Sequence, residues 1–233
     1  MFAPEDTLDL ESFAHRGIFD GIDKAWEALP RIASYLEEQA RAPSDLEGAE
    51  VSPLAEVADT GVVLGKGSLV EAGAVIRGPA VIGSGSQIRA GAYVRGNAII
   101  GEHVVIGNSC EIKNAIIFDR AEIPHYNYVG DAILGYRAHL GAGVILSNVR
   151  LDRRNVAVLD REGIRHDSGL RKFSAILGDH AEIGCNSVLS PGSIIGRRCI
   201  LYPLTHWQGC LPADTIVKTR QNQALIAREP SPS

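Results

Sequence analysis

Residues 64–112 read LGKGSL VEAGAV IRGPAV IGSGSQ IRAGAY VRGNAI IGEHVV IGNSCE I, and set out in sixes they decide the fold. Leu64, Val70, Ile76, Ile82, Ile88, Val94, Ile100, Ile106 and Ile112 fall in one register. Four residues behind each comes a compact side chain, as at Ser68, Ala74, Ala80, Ser86, Ala92, Ala98, Val104 and Cys110. Neither the 3.6-residue period of an α-helix nor the two-residue period of a strand produces this pattern. A six-residue repeat is the signature of a parallel β-helix. Three hexads close one triangular coil of eighteen residues, with the aliphatic chain inward. Residues eighteen apart therefore stack above one another.

Outward from that stretch, the register loosens from Ile117 to Val129, where Pro124-His125-Tyr126-Asn127-Tyr128 interrupts it. It resumes at Leu134, Leu140 and Leu146, breaks again, and finishes at Leu177, Ile183, Leu189, Ile195 and Leu201. Six or seven coils are expected. The second break, 149–171, is an excursion whose Arg161-Glu162-Gly163 reads as a hairpin turn between Val156-Ala157-Val158 and Ile164. Long insertions in a strict solenoid tend to lie on the functional face, although a merely tolerated loop is the competing reading. Ahead of the repeats, Asp20 to Arg41 carries helical spacing through Ile22, Ala25, Trp26, Leu29, Ile32, Ala33, Tyr35 and Leu36. Pro30 should begin a second helix or kink the first. An amphipathic segment of this kind must bury its apolar face on the β-helix or on a neighbouring subunit. Pro43 to Pro53 reads as a linker. The expected organisation is a helical segment and linker over 1–50, a repeat domain over 51–222 and a flexible tail over 223–233, with Glu229 to Ser233 disordered.

Bulk properties narrow the functional classes. The chain has 233 residues, of which 45% are hydrophobic, but only five are Phe and two Trp, so the core is built from aliphatic residues and Ala. A net charge of -5, with no basic run, argues against a nucleic-acid partner. The acidic start lacks the apolar stretch of a signal peptide, and no window is long and apolar enough for a membrane span, so a cytoplasmic protein is expected. Four cysteines without CxxC spacing suit free thiols in a reducing compartment.

Two features ask for chemistry. Arg77, Arg95 and Lys113 are eighteen apart and should stack at about 4.8 Å per coil. Unit charges at that spacing repel by roughly 1–3 kcal/mol, so the column invites a counter-ion, and phosphate suits it. The competing reading is a solvated stripe with acidic neighbours from another subunit. Glu71 and Arg89, in contrast, should form an opposite-charge structural pair. Among seven histidines, His125 stands out because it sits where the repeat fails, twelve residues after Lys113. An imidazole there suits proton acceptance from an attacking nucleophile. Zinc is the rival for His103, His125, His139 and His180, but no closely spaced histidine pair exists, and no metal is expected.

The segments Glu111-Ile112-Lys113, Pro124-His125-Tyr126-Asn127-Tyr128-Val129-Gly130-Asp131 and Leu140-Gly141-Ala142-Gly143 resemble the acetyltransferase domain of the bifunctional N-acetylglucosamine-1-phosphate uridyltransferase/glucosamine-1-phosphate acetyltransferase family. The archaeal sugar-1-phosphate nucleotidylyltransferases that carry such a domain are closer still. The similarity covers roughly residues 50–222. It implies a left-handed β-helix, a homotrimer with sites between subunits, and acetyl transfer from acetyl-CoA to an amino-sugar 1-phosphate. By the same resemblance His125 is the general base. Arg95 and Lys113 hold the sugar phosphate, Tyr128 and Asn148 contact the sugar, and Lys172 adds a phosphate or sugar contact. Ala142 offers an amide N–H near the acetyl group, while Cys185 and Arg220 line the CoA site.

Departures from the pattern are His139 for a family Asn, Val149 for a Tyr and Cys185 for a Ser; they leave the amino sugar open. Nothing resembles the Gly-rich loop that opens the family's nucleotidyltransferase domain, so any nucleotidyl transfer is expected from a separate protein. Two alternatives stay open. One is acetylation of an amine or hydroxyl on a nucleotide-linked sugar. The other is a non-catalytic trimeric scaffold that docks a separate nucleotidyltransferase through the helices near Trp26.

Overall fold

A computed structural model describes residues 2–40, 43–220 and 223–227. Most of the expected tail, including Glu229 to Ser233, lies outside the described residues. The repeats build a largely parallel β-solenoid consistent with a left-handed β-helix, with a short N-terminal helical segment. Each coil contributes one short strand to each of three faces. Face 1 stacks nine strands from Glu50–Val51 to Ile216–Val217. Face 2 runs from Glu56–Val57 to His206–Trp207, and face 3 from Val62–Leu64 to Cys210–Leu211. The strands Glu111–Ile117 and Tyr128–Leu134 pass the corner between faces 2 and 3 without a break and join them into one fourteen-stranded sheet.

The inward aliphatic residues fill the prism. Ile76, Ile88, Ile106, Ile112, Val129 and Leu146 are all fully buried, each contributing about 1.5–3 kcal/mol by leaving water. The compact position, two residues ahead of each inward aliphatic, is buried as well, as at Ser68, Ala74, Ala80, Ser86 and Ala98. Its hydroxyls are satisfied by the next coil: Ser68 Oγ donates to Gly83 O and Ser86 Oγ to Gly101 O, both at 2.9 Å.

Several expectations need correction. The solenoid has eight full coils rather than six or seven. Val51, Val57, Trp207, Leu211 and Val217 extend the stack, but Trp207 and the shortened last turn blur the hexad at that end. The segment Pro43 to Pro53 is not a free linker. Asp45 bridges Val63, and Asp45 N–H donates to Val62 O at 2.8 Å, so the solenoid begins there. The loosening after Ile112 is a coil one residue shorter, with Ile112 paired to Val129 and Val129 to Leu146. Asn114 and Asp131 turn those shortened corners at φ 47° and 52°, a region that Asn and Asp tolerate better than other side chains. Glu71 and Arg89 form no pair: Arg89 donates to Gln87 Oε1, and Glu71 accepts from Ala90 N–H.

Face 3 differs from the others in presenting aliphatic residues outward as well as inward. Val81, Ile99, Ile116, Ile133, Ile176 and Ile194 form a second apolar core with the N-terminal segment. That segment runs through a 3₁₀ turn at Ala25–Arg31, which contains Pro30, into an α-helix at Ile32–Gln39. Proline lacks the donor an α-helix needs, so the helix proper starts after it. Phe13 stacks on Phe118 with centroids 3.8 Å apart, and Trp26 packs between Phe2 and Phe173. The excursion does form the expected hairpin, Ala157–Leu159 against Arg165–Asp167. Its buried Val156 and Val158 join this same core, so the hairpin covers face 3, while Val149 to Asp152 at its root and Arg165 on its second strand border a groove with Val188 and Ser190 of face 2. Trp26 itself is 1% exposed and packs inward on face 3, while Ser34, Glu37 and Glu38 of the following helix stay exposed.

Candidate active site

His125 ends the face 1 strand Glu122–His125, at the corner leading into face 2. Two corner hydrogen bonds show what stacks on it. Gly143 N–H donates to His125 O at 3.0 Å, and Asn186 N–H donates to Ala142 O at 2.9 Å. His125, Ala142 and Cys185 therefore occupy the same corner position on three successive coils. The Ala142 N–H has no acceptor among the described residues. The corner is braced from inside by Asn127, which is 2% exposed. Its Oδ1 accepts from His125 N–H at 3.1 Å and its Nδ2 donates to Gly141 O at 2.7 Å. Cys110 Sγ lies 3.5 Å from Asn127 Oδ1, and burial pushes this thiol's pKa up. Asn127 and Cys110 thus hold the imidazole's backbone from two coils and leave its ring free and exposed.

The opposite edge of face 2 carries the cation column. Tyr93 pairs with Val75 and with Glu111, so Arg77, Arg95 and Lys113 do stack. Each already has a carboxylate within the chain: Arg77–Glu56 at 2.6 Å, Arg95–Glu111 at 2.7 Å and Lys113–Asp131 at 3.0 Å. Repulsion within the column is relieved by these neighbours, from the same chain rather than another subunit.

Asp131 is the hub that sequence reading missed. Its side chain is 5% exposed, and it accepts from Lys113 Nζ at 3.0 Å, Asn114 Nδ2 at 2.9 Å and Asn148 Nδ2 at 2.6 Å. Asn148 Nδ2 also lies 3.0 Å from Tyr128 Oη. Burial first, then the Asp131 charge, raises the Tyr128 pKa and keeps the phenol protonated. Lys113, Tyr128 and Asn148 are therefore brought together, and Arg95 adjoins them one coil below. The available signal was the Gly130-Asp131 corner seventeen residues beyond Asn114.

Lys172 is exposed and has no ion-pair partner among the described residues. It is held near the cluster because Phe173 N–H donates to Asn148 O at 3.0 Å, closing the root of the excursion. Arg220 is exposed and follows Thr219, whose hydroxyl lies 3.0 Å from Thr205 Oγ1 in the last coil. His125 and the Asp131 cluster are not in contact. His125 ends one strand, Tyr126 turns the corner at φ 53°, and Asp131 lies further along the next strand, Tyr128–Leu134. His139 Nδ1 lies 2.7 Å from Glu182 Oε2 on face 1. Among the described residues, no three His, Cys, Asp or Glu side chains are grouped to hold a metal ion. Val149 borders a groove of about 530 Å³ that also meets Ser147, Arg150, Arg165 and Ser190. Cys185, Gly141 and Tyr202 line an apolar groove of about 320 Å³ on face 1.

Comparison with known proteins agrees with this architecture. Residues 76–168 match the GMPPB C-terminal domain, and residues 55–77 match the hexapeptide repeat of succinyl-transferase. A bifunctional sugar-1-phosphate nucleotidylyltransferase/acetyltransferase of Sulfurisphaera tokodaii is 39% identical over 98 residues, 42% of this chain and 24% of that one. The bifunctional protein GlmU of Methanococcus vannielii is 40% identical over 106 residues, 43% of this chain and 25% of that one. The chain thus spans about a quarter of the length of these relatives. An uncharacterized acetyltransferase of Escherichia coli, YaiX, is 36% identical over 198 residues, 82% of this chain and 85% of that one. Solenoid, hexads and matches define a hexapeptide-repeat acyltransferase, a class of acyl-CoA-dependent transferases. The chain belongs to the family of YaiX and is related to the GlmU-type sugar-1-phosphate acetyltransferases.

Proposed function

We propose that the chain is an acetyl-CoA-dependent N-acetyltransferase acting on an amino-sugar 1-phosphate, with glucosamine 1-phosphate as the leading acceptor. The observation that carries this reading is the stacking of His125, Ala142 and Cys185 on one corner, with a free amide N–H at Ala142. In the reaction, the acceptor nitrogen attacks the thioester carbonyl carbon while the His125 imidazole takes the proton that nitrogen releases. The Ala142 N–H donates to the developing oxyanion. The C–S bond then breaks, the imidazolium returns the proton to the leaving sulfur, and the products are the N-acetyl sugar phosphate and CoA.

Arg95, Lys113, Tyr128, Asn148 and Lys172 serve the sugar phosphate. The width of face 2 between this group and His125 supports a site completed by two neighbouring prisms, as a homotrimer would provide. Exposed Ile145 and Val188 on face 2, and Ile200, Tyr202 and Ile216 on face 1, supply apolar contact for such packing. The apolar groove beside Cys185 suits the pantetheine arm, with Arg220 at the far end of the same corner. A product of this kind is a substrate for nucleotidyl transfer by another protein.

A second reading, transfer to a nucleotide-linked amino sugar, draws on the groove beside Asn148, which has room and two arginines for a larger acceptor. One assay separates the two: free-thiol release from acetyl-CoA with glucosamine 1-phosphate, galactosamine 1-phosphate or a UDP-linked amino sugar. His125→Ala is expected to abolish release while light scattering still reports a trimer. Normal turnover in that variant would sink the mechanism, and no release with any acceptor would sink the function.

A further inference from the structure

Each coil turns from face 3 into face 1 through one residue in the left-handed backbone region. In two early coils it is glycine, Gly67 at φ 73° and Gly85 at φ 67°. In the four coils that follow it is His103, Arg120, Arg137 and His180, at φ 54°, 58°, 53° and 58°. Their vertical alignment is set by the backbone. Arg120 N–H donates to Glu102 O, Arg137 N–H to Asp119 O and His180 N–H to Tyr136 O, each bond repeating the one a coil earlier. Arg and His suffer a Cβ clash in this conformation that glycine avoids. Four consecutive basic side chains therefore occupy the corner where backbone energetics favour something else.

The two guanidiniums of this corner are not spent among the described residues. Every member of the face 2 column has a carboxylate partner, and Arg198, next above His180, is clasped by Asp214 at 2.6 and 2.7 Å. Arg120 and Arg137 meet no carboxylate at ion-pair distance among the described residues. Arg137 instead lies over the Tyr136 ring at 5.5 Å, and His180 rests edge-on against the same ring at 5.4 Å. The four residues line a groove of about 650 Å³ together with His139, Glu122 and Glu182. Glu182 is engaged by His139, which leaves Glu122 facing two guanidiniums. Among the described residues no trio of ligating side chains suits a cation there. Through His139 and Glu182 the groove runs on into the apolar groove that reaches Gly141 and Cys185.

We propose that this corner is a second phosphate site, separate from Arg95 and Lys113. It would take the phosphate ester or pyrophosphate of a ligand whose remainder lies in the adjoining apolar groove. Arg120 and Arg137 supply planar paired donors suited to phosphate oxygens, and His103 and His180 flank them along the same edge. Donor and acceptor both carry this chemistry: the pyrophosphate and 3′-phosphate of CoA, or the phosphate of the amino sugar. Only the ligand's identity rests on the proposed transferase reading; the anion site does not.

The test is calorimetric titration of the full chain and of two double variants. Arg120→Asn with Arg137→Asn keeps a residue tolerant of the left-handed corner. Arg120→Gly with Arg137→Gly copies Gly67 and Gly85. The probes are inorganic pyrophosphate, CoA, dephospho-CoA and glucosamine 1-phosphate at fixed ionic strength. Pyrophosphate affinity is expected to fall by about tenfold or more in both variants, the loss typical of one charge-assisted hydrogen bond. A matching loss for CoA, smaller for dephospho-CoA, assigns the site to the donor; a matching loss for glucosamine 1-phosphate assigns it to the acceptor. Unchanged pyrophosphate affinity in both variants, or no pyrophosphate binding by the parent, overturns the proposal. Binding requires no turnover, so a chain that binds pyrophosphate at this corner yet releases no thiol refutes the transferase reading alone.

Discussion

Asp131→Asn isolates the charge at the centre of the face 2 cluster. Asparagine matches the size of aspartate and tolerates φ 52°, so the corner backbone is undisturbed. What changes is the acceptor set. Asp131 receives Lys113 at 3.0 Å, Asn114 at 2.9 Å and Asn148 at 2.6 Å. The amide keeps one oxygen and turns an –NH₂ toward these donors. Losing one or two hydrogen bonds to a charged group costs about 1.5–3 kcal/mol each. Lys113 is 24% exposed and regains part of its hydration, so the expected loss is about 2–3 kcal/mol, below the roughly 3–5 kcal/mol of breaking a fully buried pair.

At roughly 2–4 °C per kcal/mol for a chain of this size, thermal unfolding should shift down by about 5–10 °C, followed by circular dichroism at fixed protein concentration. A double-mutant cycle with Lys113→Met should return a coupling of about 1 kcal/mol or more. The KM for the sugar phosphate should rise more than kcat falls, because Lys113 and Asn148 lose their common anchor. A variant that melts within about one degree of the parent would refute the assignment of Asp131 as the hub.

Gly107→Ala places a Cβ against the backbone carbonyl of Pro124 in the next coil. It should destabilise by about 3 kcal/mol or more, read as a drop in urea midpoint with little change in slope. Trp26→Ala removes a side chain that is 1% exposed beneath Phe2 and Phe173. A loss of about 3–5 kcal/mol is expected, with binding of a hydrophobic dye as face 3 is uncovered. Thiol labelling followed by mass spectrometry should modify exposed Cys185 first and spare buried Cys110 and Cys199. Cys210 should also lag, its thiol pKa pushed up to about 11 by burial. CoA should protect Cys185; labelling unaffected by saturating CoA would place the donor elsewhere.

The repeat made the prism legible because an inward position every six residues is a local property of the chain. The stacking of Arg77, Arg95 and Lys113 followed from the same arithmetic and is present. The pairs of Arg77 with Glu56 and Arg95 with Glu111 did not follow, because they lie diagonally across coils at separations of 21 and 16; Lys113 and Asp131 are eighteen apart, and that pair was open to the same arithmetic but was not drawn. Asp131 belonged to the quoted motif but carried no role, since its partners Asn114 and Asn148 sit seventeen residues away on either side. The outward aliphatic column of face 3 was in the sequence too, at Val81, Ile99, Ile116 and Ile133, masked by the stronger inward register one residue later.

By itself the sequence determined the class of fold and the stacking order, which depend on periodicity and on residue identity at fixed offsets; the candidates on the His125 corner came from the family resemblance. Only the tertiary structure decided what covers face 3, which charges are already matched, and which basic residues remain free at the left-handed corner. These are outcomes of packing between coils and between the solenoid and its N-terminal segment, where partners distant in the chain compete for the same surface. The placement of His125 and the Asp131 cluster at opposite edges of face 2 is of the same kind: the prism, not the local sequence, sets which side chains share a corner.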